Sequence, residues 1–211
     1  WGSDSDGQST VPSDLGTINS ISAGRDFTCA IKTDDTVRCW GSDSDGQTTV
    51  PSDLGTVNSL TSGDSYSCAI KTDGTAQCWG LNRDGAATVP SDLGTVSHMW
   101  ISHSAYYSCA IKTDGTVQCW GINGATDIPL ISGTVGSISG IWYEYCAIKT
   151  DGTAQCWNKN LSNNRGVPSD LGTVSSISAD YNHTFAIKTD GTAQCWGSDS
   201  YGQSTVPADF Q

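Results

Sequence analysis

Methionine occurs once in 211 residues, phenylalanine and histidine three times each, and only 15% of the chain is charged. No run of 18 apolar residues occurs, so no segment is long enough to cross a bilayer as a helix. Basic side chains are scarce: ten Lys and Arg stand against 22 Asp and Glu, a net charge of −12. Such a surface repels phosphate, which argues against nucleic acid and anionic membranes as partners. The usual signatures of catalysis are missing as well. His98, His103 and His183 stand in no triad or metal-cluster pattern, no serine lies in G-x-S-x-G, and no glycine-rich phosphate loop opens a helix. The expectation is a protein that is not an enzyme. The chain starts at Trp1 with neither a methionine nor a signal-like segment, as expected of a mature, trimmed or excerpted protein.

Glycine, serine, threonine and aspartate abound, which suits many short strands and turns. The string Cys68-Ala69-Ile70-Lys71-Thr72-Asp73-Gly74-Thr75-Ala76-Gln77-Cys78-Trp79-Gly80 returns, nearly unchanged, at Cys29, Cys109, Cys146 and Phe185. It reads as two short strands joined by Thr-Asp-Gly, a type I turn closed by a left-handed residue. Gly74, Gly115, Gly152 and Gly191 take that position, and Asp35 takes it in the first copy. A three-residue loop sets Ile31 opposite Val37 and Cys29 opposite Cys39, with Ala30 and Lys32 on the other face. Opposed Cα atoms in an antiparallel pair lie within disulfide range. The register therefore predicts bridges Cys29 to Cys39, Cys68 to Cys78, Cys109 to Cys119 and Cys146 to Cys156. Four pairs falling on opposed positions point to disulfides rather than to buried thiols, and without a C-x-x-C a zinc site has less support. Phe185 leaves Cys195 as the odd cysteine of nine. Paired cysteines imply an oxidising compartment, secreted or at the cell surface.

Cutting before each Trp that follows a second cysteine gives repeats 1–39, 40–78, 79–119, 120–156 and 157–195, with a remnant, 196–211. A period near 40 residues with about four strand-sized segments points to a single all-β domain, 1–211, a five-bladed β-propeller. Each repeat runs through four parts: Trp-Gly-Ser-Asp-Ser-Asp-Gly-Gln in its fullest form, at Trp1 and Trp40, then Val-Pro-Ser-Asp-Leu-Gly-Thr, as at Val11, Val50, Val89 and Val167, then a strand of small and apolar residues such as Ile18 to Gly24, then the hairpin. Proline in the second part excludes a central strand and fits an edge or turn. Five hairpins but six segments opened by such a tryptophan are present, five reading Trp-Gly and one Trp157-Asn158, so a copy at Trp1 or Trp196 is surplus to a closed ring of five. It would overlay its twin, dangle, or mediate self-association with a neighbouring molecule.

The pattern Ile21-Ser22-Ala23-Gly24, Thr28-Cys29-Ala30-Ile31-Lys32-Thr33-Asp34, Cys39-Trp40-Gly41 and Gly46-Gln47 resembles the repeat of the regulator of chromosome condensation family. Within it the short period is similar to the secreted bacterial branch, which includes a β-lactamase-inhibiting propeller. The resemblance implies a propeller scaffold whose loops bind other proteins.

Recognition is expected where the copies disagree. Between inner strand and hairpin they read Arg25-Asp26-Phe27, Asp64-Ser65-Tyr66, His103-Ser104-Ala105-Tyr106-Tyr107, Ile141-Trp142-Tyr143-Glu144-Tyr145 and Asp180-Tyr181-Asn182-His183. Phe27, Tyr66, Tyr107 and His183 share one position and read as packing between blades. Trp100, Tyr106, Tyr107, Trp142, Tyr143 and Tyr181 form the candidate set for a protein or carbohydrate ligand, because such rings supply large contact area with a polar tip. Asn160 and Asn182 head sequons. The turns at Asp4/Asp6 and Asp43/Asp45 offer carboxylates before a glycine, a pattern calcium favours, although an aspartate there also serves its own backbone.

Overall fold

A computed structural model describes residues 2–102, 107–121, 131, 133–141, 144–158, 166–180 and 182–210, with the main chain alone at 141, 144, 158 and 209. It contains five three-stranded antiparallel sheets, each a propeller blade. Blade 1 is β1 (Ile18–Ala23), β2 (Phe27–Lys32) and β3 (Val37–Gly41). Blade 2 is β4 (Val57–Ser62), β5 (Tyr66–Lys71) and β6 (Ala76–Gly80), and blade 3 is β7 (Val96–Ile101), β8 (Tyr107–Lys112) and β9 (Val117–Gly121). Blade 4 is β10 (Val135–Ile141), β11 (Glu144–Lys149) and β12 (Ala154–Asn158), and blade 5 is β13 (Val174–Ala179), β14 (His183–Lys188) and β15 (Ala193–Gly197). Two compact units contain them: Trp1–Thr113 with Gln118–Ala125, and Asp114–Val117 with Thr126–Gln211.

The hairpin register is the expected one. Cys29 faces Cys39 and Ile31 faces Val37, and the turn residue has positive φ in all five copies, from +63° at Asp35 to +90° at Gly191. All four predicted bridges form, and Cys195 is a free thiol opposite Phe185. Each turn aspartate accepts from the threonine two residues on, as Asp73 Oδ1 does from Thr75 N (2.9 Å) and Thr75 Oγ1 (2.6 Å).

Three strands per sheet, rather than four segments of strand, is a correction. Trp-Gly ends the third strand, and the Ser-Asp-Ser-Asp-Gly-Gln part after it folds as a loop because its aspartate satisfies the backbone that a strand partner would otherwise take. Asp43 Oδ1 accepts from Thr48 N and Thr49 N at 2.8 and 3.0 Å, and Asp4 does the same for Ser9 and Thr10. The Val-Pro-Ser-Asp-Leu part is a turn in which Leu N–H donates to the proline carbonyl, burying Leu15, Leu54, Leu93 and Leu171.

Inner strands carry a bulge the alternation did not reveal: Val57 pairs with Lys71 but Ser59 with Ile70, so Asn58 is extra, and each inner strand repeats this. The strand start is thereby free to bond sideways. In the first unit Val57 N–H donates to Asp35 O and Val96 N–H to Gly74 O; in the second, Val135 N–H donates to Gly115 O and Val174 N–H to Gly152 O, all at 2.8–2.9 Å.

Both blade faces are apolar, not one. Cys29, Ile31 and Cys39 of blade 1 pack on Leu54, Val57, Ala69 and Trp79 of blade 2. Within the second unit Cys146, Ile148 and Cys156 of blade 4 pack on Leu171, Val174, Ile177 and Ala186 of blade 5. Alanine therefore stands where the preceding blade presses close, as Ala69 does against blade 1 and Ala186 against blade 4.

The same turns tie stability to pH. Hydrogen bonds from threonine, the hydroxyl foremost at Asp34, Asp73 and Asp151 and the main-chain N–H foremost at Asp190, hold these carboxyls below the ordinary 3.8. A carboxyl whose folded pKa lies below its unfolded one adds stability above the unfolded value, and that stability is lost as pH falls through the folded one. Calorimetry is expected to find a level melting temperature from neutral pH to about 5 and a decline below about 4. Asp73→Asn should make that decline shallower.

Candidate functional site

The variable segments are the connections from first to second strand of each blade. Gly24 N–H donates to Phe27 O, Gly63 to Tyr66 O, Ser102 to Tyr107 O and Asp180 to His183 O, so all four turns close at the same end of their strands. A second bond fixes the loop from outside: Ser42 N–H donates to Asp26 O, Leu81 to Ser65 O and Ser198 to Asn182 O. This explains the glycine of Trp-Gly. Gly80 has φ +100°, and a Cβ there would lie 2.6 Å from Ser65 O and 2.8 Å from Tyr66 Cα. At Gly41, Gly80 and Gly197 the lack of a side chain lets the third strand clamp the loop, whereas blade 4 carries Asn158 at this place.

The shared aromatic position is structural, as expected. Phe27 and Tyr66 are fully enclosed, and Tyr66 OH donates to Tyr107 O (2.8 Å) beside Ser108 Oγ (3.1 Å) in the next blade. Burial pushes its phenol up to about 12. In blade 4 Glu144 stands at that position; Tyr145, one residue further on, is buried with its ring 5.8 Å from that of Trp157 opposite, and burial raises its phenol too. His183 is half-buried, its ring edge-on to Phe185 at 5.6 Å.

Of the candidate set, Trp100, Tyr107 and the sequon residue Asn182 are described. Trp100 lies on β7 opposite Cys109, half-buried, its ring 5.7 Å from that of the half-buried Tyr107. It replaces a small inner-strand residue, and elsewhere that residue has a task sequence reasoning missed. Ser22 Oγ accepts from Ser62 N (2.9 Å) and Ser139 Oγ from Ala179 N (3.2 Å), linking successive inner strands within each unit. Their only signal was their recurrence at one place in the repeat. Asn182 is exposed. Tyr106, Trp142, Tyr143, Tyr181, His103 and Asn160 lie outside the described residues. In the loops whose carboxylates suggest calcium, Asp4 and Asp43 serve their own backbones, and hydrogen bonds, first from the Thr10 and Thr49 hydroxyls, lower both carboxyls. Among the described residues no three His, Cys, Asp or Glu side chains gather as a metal site.

The family model for the Regulator of chromosome condensation (RCC1) repeat matches residues 18–47, 57–86 and 174–203. No curated protein sequence matches significantly. Among solved structures the chain is similar to the entire ectodomain of the Physcomitrella patens receptor kinase CR4, with TM-score 0.72 and 24% identity over 93% of this chain and 56% of that one. The ectodomain of the Arabidopsis thaliana receptor kinase ACR4 matches with TM-score 0.67 and 22% identity over 93% and 74% of the two chains. Prp20p from Saccharomyces cerevisiae, described with its binding to Gsp1p and histones, matches with TM-score 0.67 and 18% identity over 94% and 61%. The present chain thus spans little more than half of the CR4 ectodomain.

Proposed function

We propose that this chain, which belongs to the regulator of chromosome condensation repeat family, is a non-catalytic extracellular module that binds a protein or glycan through its first loops. The observation that carries the reading is the filling of the structural slot. Phe27 and Tyr66 already occupy the buried position behind their loops, and Tyr107, Glu144 and His183 hold that place in the other copies, so Trp142, Tyr143, Tyr181 and Tyr106 are aromatic residues in addition to what that position requires. Surplus Trp and Tyr in loops held by a rigid sheet are the composition of a recognition surface. Four disulfides favour an oxidising compartment. Two of the similar structures are receptor ectodomains, which accords with that placement. The excess of acid over base directs the search toward proteins and neutral glycans rather than nucleic acid.

The test is a ligand selected on the unmodified protein from an oligosaccharide array and a panel of extracellular proteins. Trp142→Ala with Tyr143→Ala is expected to weaken that ligand at least about 30-fold, the scale of a lost hot spot, with the melting temperature unchanged. Binding that survives the double substitution would remove these loops from the site.

A further inference from the structure

Three loops of one design, 3–10, 42–49 and 198–205, hold their main chains by the same side-chain bonds. Asp199 Oδ1 accepts from Ser204 N–H (2.8 Å) and its Oδ2 from Thr205 Oγ1 (2.7 Å), as Asp43 does from Thr48 N–H and Thr49 Oγ1. The glutamine of the motif closes the tip: Gln8, Gln47 and Gln203 Oε1 accept from the main-chain N–H of Asp6, Asp45 and Tyr201 at 2.9, 2.7 and 2.8 Å. The tip residue is therefore held alike in all three, whichever side chain it carries.

Aspartate stands at that tip in three copies, Asp6, Asp45 and Asp84, and all three are exposed. Tyr201 replaces it in the fourth and is 94% exposed, more than any other large apolar side chain among the described residues. Exposure belongs to the tip itself, since Asp45 and Asp84 lie in loops that join successive blades of the first unit. Packing thus gives no reason for the ring. Its loop also leaves blade 5 at the recognition end: Ser198 N–H donates to Asn182 O at 2.7 Å, and Asn182 follows Tyr181 in the first loop. A comparison confined to the first loops does not reveal Tyr201.

We propose that Tyr201 is a contact residue for a protein partner, so that the binding surface on blade 5 takes in the loop after its third strand as well as its first loop. This rests on the first-loop reading above and sharpens it, naming a protein surface and not a glycan as the ligand. Both faces of the Tyr201 ring are open, which suits insertion into a partner's cleft; a sugar-stacking ring works with one face backed by its own protein. Around it stand Ser198, Ser200, Gly202, Ser204 and Asn182. Tyrosine among serine, glycine and asparagine is the mixture of protein-binding antibody loops, rigid contact area beside adaptable hydrogen bonds. A loop already closed by Asp199 and Gln203 loses little freedom on binding.

The test screens the unmodified chain and Tyr201→Asp against the same panel of extracellular proteins and the same oligosaccharide array. Tyr201→Asp installs the residue of the other three tips, so the melting temperature should hold. A panel protein is expected to bind, and the variant to bind it about 30-fold or more weakly. Hydrogen exchange in that complex should slow at residues 198–204 and not at the hairpin turn 189–191, which lies at the other end of the strand 183–188. A panel from which nothing binds, binding confined to oligosaccharides, or protein binding that Tyr201→Asp leaves undiminished overturns the proposal. Trp142→Ala with Tyr143→Ala tells the two failures apart: binding lost there but kept in Tyr201→Asp removes Tyr201 and leaves the first loops, and the opposite pattern removes the first loops and leaves Tyr201.

Discussion

Complete reduction of the protein is expected to unfold it at 25 °C. Each bridge joins residues ten apart, a loop whose closure restricts the unfolded chain by about 3 kcal/mol at most on the chain-entropy model. Four such bridges sum to roughly 10 kcal/mol, comparable with the whole stability of an ordinary domain, about 5–15 kcal/mol. The reason lies in the composition: bulky apolar residues are few, and small side chains fill the blade contacts, so burial alone leaves a narrow margin. Far-ultraviolet circular dichroism before and after a phosphine reductant reads the outcome. A reduced protein that keeps its strand signal and its melting temperature would refute the assignment of stability to the bridges. Blade 5 supplies an internal control, because Phe185 faces Cys195 there without a covalent tie. Its amides should exchange fastest among the five hairpins, and reduction should bring the others toward its rate.

Tyr66→Ala is expected to cost about 3–5 kcal/mol, the scale of a large aromatic side chain deleted from a closed core. The ring is wholly enclosed, and its hydroxyl bonds to Tyr107 O and Ser108 Oγ of blade 3, so one side chain ties two blades of the first unit together. Tyr66→Phe separates the contributions. It keeps the ring and removes the hydroxyl, with an expected loss of about 1 kcal/mol for the bond to Tyr107 O, a carbonyl that keeps its bond from Ser102 N–H. Ser108 Oγ keeps its own bond to Ala86 O at 2.8 Å, which limits the damage. Urea unfolding followed by fluorescence measures both variants. The phenol adds a spectroscopic check. Its folded pKa, about 12, lies above the ordinary 10.0, so its contribution is complete below 10 and declines as pH rises through the folded value. Ultraviolet titration should therefore find a tyrosine that ionises about two units late in the unmodified protein and is missing in Tyr66→Phe.

Much of this architecture was readable before any coordinates because it is local. A turn of Thr, Asp and a residue tolerant of positive φ sets the hairpin length, hairpin length sets the register, and register places Cys29 on Cys39 within bonding range. The structural role of Phe27 and Tyr66 was legible as well, since repeats within one chain can be compared with each other. The candidate recognition residues were legible only as composition, for no local rule says what Trp142 or Tyr143 touches.

Sequence alone settled strand pairing inside a blade, the four bridges and the odd cysteine, because those depend on residues about ten positions apart and on stereochemistry. Tertiary structure decided the rest. It turned the fourth segment into a loop, inserted the bulge at Asn19 and its equivalents, and buried Ala30 as deeply as Cys29. The burial of the blade faces depends on which blade lies against which, a contact between residues about forty positions apart, whereas the loop rests on aspartates bonded five and six residues on. The hairpins are near-identical in sequence, so the neighbour that packs on a face within each unit, and not side-chain chemistry alone, determines how deeply that face is buried.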